Sequence, residues 1–358
     1  MRDMTHACTL TPSGKTFPVD AHETILEAAL RAGIVLPYGC KDGACGSCKA
    51  KISSGSVDYG DYQTKALSDS ERADGHLLLC RATPLSDVTI SARVVAAEGM
   101  IPIRKMPCRV SSIARVAPDV AVVMLQLPAT ETFQFLAGQY IDILLKDGKR
   151  RSYSMANAPL ASNQIELHIR HTPGGAFTDA LFGSGTPSIN AVKEKDILRF
   201  EGPQGTFFLR EDSARPIVFL ASGTGFAPIK AVVEHMRAKH IERPVVLYWG
   251  GRRPVDLYMN ELAETWAKEM PSFTYIPVVS DARPEDSWTG RTGFVHQAVM
   301  QDLPDLSAHS VYACGAPVVV QAALRDFTAV CGLPEDEFFA DAFTTAADLA
   351  KTAKLENV

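Results

Sequence analysis

No stretch of this 358-residue chain reaches the ~18 consecutive apolar residues that a membrane helix needs. The opening Met1-Arg2-Asp3-Met4 leads into no apolar run of the kind that marks a secretory leader. Both absences point to a cytoplasmic protein with no membrane partner. Long basic runs are missing too, and the net charge is −5, which argues against nucleic acid as a main partner. Internal repeats and low-complexity segments are absent as well. What remains is an ordinary composition, 46% hydrophobic, in a chain long enough for about two to three domains.

Eight cysteines in such a chain fit metal ligation better than disulfides. Cys40, Cys45 and Cys48 stand as C-x4-C-x2-C, and Cys80 follows after a long gap. The intervening residues are small: Gly43, Ala44, Gly46 and Ser47, with Gly39 just before them. Glycine lets the backbone wrap tightly and come close to inorganic sulfide. The spacing is that of a plant-type [2Fe–2S] centre. Zinc is the alternative, but zinc modules usually use two C-x-x-C pairs, and only Cys45 and Cys48 form one here. Cys8, Cys108, Cys314 and Cys331 are scattered and read mainly as buried small hydrophobes.

The pattern along the chain divides it. Residues 1–97 read as one small α+β unit. It has a hairpin over 7–10 and 16–19, a helix over 23–32 stopped by Gly33, the cysteine loop, a run at 77–79 leading into Cys80, and a closing strand at 88–94. Residues 98–106 read as a linker. Over 107–211, strand-like runs at 120–127, 140–145, 165–170 and 197–200 alternate with turns, and one short helix follows Gly174-Gly175. That spacing suggests an antiparallel barrel, expected to have six strands. From residue 212 to 343, apolar runs at 217–221, 245–249, 273–279 and 311–314 alternate with helical patterns, as in a parallel α/β sheet. Pro228 and Pro317 are placed to open helices. Residues 344–358 form a tail.

Three motifs carry chemistry. Arg151-Ser152-Tyr153-Ser154 follows a barrel strand. Leu167-His168-Ile169-Arg170 runs into Pro173-Gly174-Gly175-Ala176-Phe177-Thr178, where two glycines opening a helix make an anion site. Gly223-Thr224-Gly225-Phe226-Ala227-Pro228 lies between strand and helix and differs from G-x-G-x-x-G in having Pro228 where the third glycine stands. Together these resemble the ferredoxin–NADP reductase superfamily, and residues 1–97 resemble the β-grasp fold of plant-type ferredoxins.

The resemblance assigns roles. Arg151 pairs with flavin phosphates, Ser152 belongs to the same flavin motif, Tyr153 packs on the isoalloxazine ring, and Ser154 places a hydroxyl near N5. His168, Ile169, Gly174, Gly175 and Thr178 belong to the flavin pyrophosphate strand and turn. Gly223, Thr224, Gly225 and Pro228 receive the nicotinamide nucleotide, and Cys314, in Cys314-Gly315-x-Pro317, stands near its ring, although a plain core thiol is the other reading. Arg252 reaches a phosphate or is a solvated surface residue, with Arg253 as its rival. Asp341 and Phe343 lie near the flavin face, Asp341 standing where glutamate is commoner. Ser154, Cys314 and Asp341 are thus the catalytic candidates. Ser280 and Asp281 follow a strand, and a carboxylate there suits the ribose hydroxyl of NADH, with NADPH less favoured unless Arg283 compensates.

The order ferredoxin, flavin, nicotinamide is similar to that of the reductase components of multicomponent oxygenases and of the CDP-6-deoxy-Δ3,4-glucoseen reductase group. It implies FAD, a [2Fe–2S] cluster and NADH as cofactors. It implies a protein electron acceptor: a dehydrase, a Rieske or di-iron oxygenase, or a cytochrome P450. The reductase itself is expected to be a monomer. A bare iron–sulfur carrier or sensor would not need two further domains, and a flavin-only diaphorase would not need Cys40, Cys45, Cys48 and Cys80.

Overall fold

A computed structural model of the chain describes residues 5–95, 101–159, 163–184 and 191–344. They fall into two compact units, one built on the N-terminal hundred residues and one on Ile101–Asp341. Of the expected tail at 344–358, residues 345–358 lie outside the described residues.

The first unit is an α+β sandwich of one main sheet and one main helix, with a two-stranded sheet of Val57–Asp58 and Thr83–Pro84 beside them. The sheet order is Thr16–Val19, His6–Thr11, Val88–Ser91, Lys49–Ser54, His76–Leu78. His6–Thr11 and Val88–Ser91 run parallel at its centre, so the first and last strands of the unit close it together. Helix Ile25–Arg31 buries Ile25, Leu26, Ala28 and Ala29 against Leu10 and Phe17. It begins later than its apolar period suggests because Thr24 forms a capping box with Glu27. Glu23 stays outside the helix and pairs with Arg31 at 2.6 Å. The closing strand ends at Ser91 rather than at residue 94. A short helix, Asp69–Ala73, is a further element, capped by Ser68 and Glu71 in the same way.

The second unit opens with an antiparallel barrel. Its strand order is Arg150–Ser154, Tyr140–Leu144, Ile197–Gln204, Arg104–Ala117, Val120–Gln126, Gln164–Arg170. A single bridge between Met155 and Leu167 joins the two ends and closes it. The long strand starts at Arg104, inside the segment expected to be linker. Met106, Cys108 and Val110 alternate into the core there, a period-two pattern that holds the chain in the sheet.

A parallel sheet follows, in the order Arg291–Thr292, Phe273–Val279, Val245–Gly251, Ile217–Ser222, Ser310–Gly315, Phe338–Ala342. Ile217–Ser222 pairs in parallel with Val245–Gly251 on one side and Ser310–Gly315 on the other. The order of the chain reverses at this strand, and the crevice beyond its C-terminal end is where such sheets take ligands. The next helix, Phe226–Lys239, starts directly after a 3-10 turn at Gly223–Gly225. Pro228 is therefore its third residue and not its first. The position still suits proline, because the first four N–H groups of a helix have no partner within it.

Candidate functional site

The cysteine loop folds back on itself through Gly43 and Gly46, both at positive φ (77° and 81°). The sulfurs gather two by two. The N–H of Cys40 donates to Cys45 Sγ at 3.4 Å, and the N–H of Cys45 donates to Cys40 Sγ at 3.3 Å. Cys48 Sγ lies 3.3 Å from Cys80 Sγ. No group of three or more His, Cys, Asp or Glu side chains converges on one point among the described residues. Two thiol pairs fit two irons sharing four cysteines better than one tetrahedral zinc. The side-chain amide of Gln63, whose main-chain N–H donates to the Gly43 carbonyl at 3.0 Å, is buried without a partner among the described residues, which is what a loop built around a further acceptor shows. Hydrogen bonding from Cys40, working against burial and helped by Ser47, brings the Cys45 thiol down to about 6. Its partner Cys40 and the buried Cys48 are pushed up by hydrogen bonding within each pair and then by burial.

On the barrel, Arg151 and Tyr153 alternate with Ser152 and Ser154 along one strand. Tyr153 lies 5.6 Å from the Phe177 ring, and burial pushes its phenol up. Among the described residues, the guanidinium of Arg151 donates only to the neighbouring carbonyl of Arg150, at 2.7 Å. Ser152 gives its hydroxyl to Asp142 at 2.6 Å. In the following turn, Thr178 Oγ1 donates to the Thr172 carbonyl at 2.9 Å, and the N–H of Gly174 donates to Asp179 at 3.1 Å. His168 and Ile169 are both buried in protein, so a ligand in this region meets their main chain and not their side chains.

At the end of the parallel sheet two turns interlock. A Cβ on Gly225 would run into the carbonyl of Cys314, and one on Gly315 into that of Ser222. Cys314 is fully buried, and burial followed by the charge of Asp341 holds its thiol well above the usual range. Both influences favour the neutral thiol. Ser154 Oγ donates to Asp341 Oδ2 at 3.3 Å. The fold thus brings Ser154, Cys314 and Asp341 to one place. Phe343 follows the last strand and is half-buried.

The coenzyme loop is built by its main chain. Ser280 N–H donates to Gly251 O at 2.9 Å, and Asp281 N–H donates to Arg252 O at 2.8 Å. The side chains of Arg252, Ser280 and Asp281 are exposed. Arg253, the rival arginine, is bound bidentately by Asp286 at 2.6 and 2.5 Å, which leaves Arg252 as the freer of the two. Arg283 stands 3.8 Å from Glu285.

One cluster meets the motifs only through His168. Lys230, inside helix Phe226–Lys239, is 6% exposed and donates to Glu234 at 2.6 Å, to Glu166 at 3.1 Å and to the Ala156 carbonyl at 3.1 Å. Glu166 meets His168 Nε2 at 2.7 Å, and His168 Nδ1 meets the Tyr258 hydroxyl at 2.8 Å. The signal available in the sequence was a lysine within the apolar run Ile229-Lys230-Ala231-Val232-Val233.

Three family models match in turn: a 2Fe-2S iron-sulfur cluster binding domain at residues 8–85, an oxidoreductase FAD-binding domain at 107–209 and an oxidoreductase NAD-binding domain at 219–325. The CDP-6-deoxy-L-threo-D-glycero-4-hexulose-3-dehydrase reductase of Yersinia pseudotuberculosis is 46% identical over 334 residues, 93% of this chain and 97% of that protein. The chain belongs to the NAD(P)H-dependent iron–sulfur flavoprotein reductases. Reductase component 2 of the Comamonas terephthalate 1,2-dioxygenase is 37% identical, covering 96% of this chain and 98% of that protein. Among solved structures, the Amycolatopsis cytochrome P450 reductase GcoB aligns with a TM-score of 0.73 at 33% identity over 96% of this chain and all of its own. As a reductase of this family, the protein is an oxidoreductase that uses FAD, a [2Fe–2S] cluster and a nicotinamide nucleotide, and it passes electrons to a partner protein. No helix among the described residues is long and apolar enough to cross a membrane.

Proposed function

We propose that this reductase oxidises NADH at the crevice beside Ser154, Cys314 and Asp341 and supplies single electrons to a dehydrase acting on a nucleotide-linked hexulose. The hydrogen bond from Ser154 to Asp341 carries the site assignment, because it joins the flavin barrel to the last strand of the nucleotide sheet. The partner assignment is supported by identity: 46% to the hexulose-dehydrase reductase against 37% to the terephthalate dioxygenase component. An oxygenase component is the second reading.

When bound there, FAD would supply the chemistry that turns a hydride into single electrons. The residues of this chain do the positioning. Arg151 and the Gly174-Gly175 turn hold the flavin phosphates, and Tyr153 lies along its ring. The closely packed Gly223-Thr224-Gly225 turn, followed by Pro228 in the first turn of its helix, seats the nucleotide. Ser154 keeps a hydroxyl at the reacting face, oriented by Asp341, while buried Cys314 shapes the pocket without titrating. Cys40 and Cys45 hold one iron, and Cys48 and Cys80 the other. Asp281 accepts from the ribose hydroxyls of NADH and repels a 2′-phosphate, and Arg252 supplies charge for the pyrophosphate.

The test has two parts. In Cys45→Ser, NADH-driven reduction of cytochrome c is lost with the iron while ferricyanide reduction persists; unchanged iron content rules out the ligand set. Purified hexulose dehydrase and an oxygenase component are then offered side by side. Turnover of the oxygenase alone sinks the dehydrase reading.

A further inference from the structure

The buried chain Lys230–Glu166–His168–Tyr258 runs between the two halves of the second unit. Glu166 and His168 stand on barrel strand Gln164–Arg170, and Lys230 and Glu234 on the helix that follows the nucleotide turn. Its hydrogen bonds fix the protonation pattern. A carboxylate only accepts, so His168 Nε2 must carry a proton toward Glu166. Burial disfavours the charged ring. Nδ1 is then the acceptor, and the Tyr258 hydroxyl donates to it.

Tyr258 passes the contact on. Its ring meets Trp249 edge-on at 5.3 Å, and Trp249 stacks on Phe226 at 3.9 Å. Trp249 Nε1 donates to the carbonyl of Gly223 at 3.0 Å. A continuous path thus leads from the barrel strand to the first glycine of the nucleotide turn. Removing one partner of a buried ion pair leaves an uncompensated charge, so the arrangement that satisfies both groups is favoured over ones that part them.

We propose that His168 and Tyr258 are positioning residues that fix the Gly223-Thr224-Gly225 turn against the flavin barrel and so set how closely the nicotinamide approaches the flavin. This rests on the reading that NADH enters at that turn. Neither residue needs to touch either cofactor, and a displacement of about an ångström at the turn slows hydride transfer by up to roughly a hundredfold.

The experiment uses the full-length holoenzyme. Flavin reduction by saturating NADH is followed by stopped flow, together with flavin content, melting temperature and the long-wavelength absorbance of the NADH–flavin complex. Tyr258→Phe removes one hydroxyl, and His168→Leu removes both hydrogen bonds. Each is expected to slow flavin reduction by roughly ten- to a hundredfold and to weaken the long-wavelength band, with flavin content unchanged. His168→Gln, whose amide can donate to Glu166 and accept from Tyr258, is expected to restore most of the rate. If the variants keep the wild-type rate and band, or lose only melting temperature, the positioning role is wrong. If NADH fails to reduce the wild-type flavin at all, the nucleotide site itself is wrong and the positioning role falls with it.

Discussion

Ser154 and Asp341 stand 187 positions apart in the chain, yet the serine hydroxyl donates to the aspartate carboxylate at 3.3 Å. One ends a barrel strand and the other lies in the last strand of the parallel sheet. The contact therefore depends on both halves of the unit being folded and docked.

It also makes a kinetic prediction. Ser154→Ala removes the hydroxyl from the proposed reacting face and is expected to slow flavin reduction by NADH by up to about a hundredfold, the cost of a reacting group held about an ångström out of place. Asp341→Asn, which keeps an acceptor, should lose less than Asp341→Ala. Stopped-flow bleaching of the flavin measures both, and equal losses in the two aspartate variants count against the orienting role.

Arg151 is free of carboxylate partners among the described residues, its guanidinium donating only to the Arg150 carbonyl. A charged hydrogen bond to a flavin phosphate is worth about 1.5–3 kcal/mol. Arg151→Ala is therefore expected to weaken flavin binding by about ten- to a hundredfold. Flavin retained through gel filtration as in the wild type would place the phosphates elsewhere.

On the proposed reading, the exposed Asp281 sets coenzyme choice. NADH is expected to be strongly preferred, and Asp281→Arg should narrow the gap. Arg283 already faces Glu285 at 3.8 Å and is poorly placed to neutralise a 2′-phosphate alone. Comparing kcat/KM for the two coenzymes decides this, and a wild-type preference for NADPH is the result that refutes it.

Stability should fall on acidification. His168 is pushed below its ordinary value of 6.5 by burial, which outweighs the carboxylate of Glu166. Glu234 also favours the protonated ring, while Lys230 opposes it. Glu166, although burial alone would raise it, is held below 4.5 by His168 and Lys230. Tyr258 closes the network from the other side and stays protonated, and Arg170 adds positive charge near it. As the pH drops through ~6.5, the unfolded chain binds a proton at His168 that the folded chain refuses, a slope of about 1.4 kcal/mol per pH unit for that proton. Glu166 adds a loss of the same sign below its unfolded value near 4.5. Urea midpoints between pH 7.5 and about 5 should fall less steeply in His168→Gln than in the wild type. Parallel curves would show that His168 does not drive the slope.

What could be read from the chain alone was whatever local chemistry demands. Cysteine spacing is set by ligand geometry within one loop. Gly223 and Gly225 are needed where strand, turn and helix meet within a few residues. The helix Asp69–Ala73 was also within reach, since Ser68 and Glu71 form an S-x-x-E capping box, but it is too short to show an apolar period. The link between His168 and Tyr258 spans 90 positions and joins residue types that are common in cores, so nothing local announces it. Arg104 was hidden for a different reason: glycine and proline nearby look like a linker, while the alternation of Met106, Cys108 and Val110 belongs to a strand.

The Met155–Leu167 bridge bears on how this protein behaves in a crowded solution. Because it closes the barrel, strands Arg150–Ser154 and Gln164–Arg170 are not open margins onto which a neighbouring chain can add a strand. The parallel sheet ends on one side in Arg291–Thr292, only two residues long, too short a template for such growth. A redox protein that must meet its acceptor briefly and release it is thereby guarded on these margins against aggregation by strand addition.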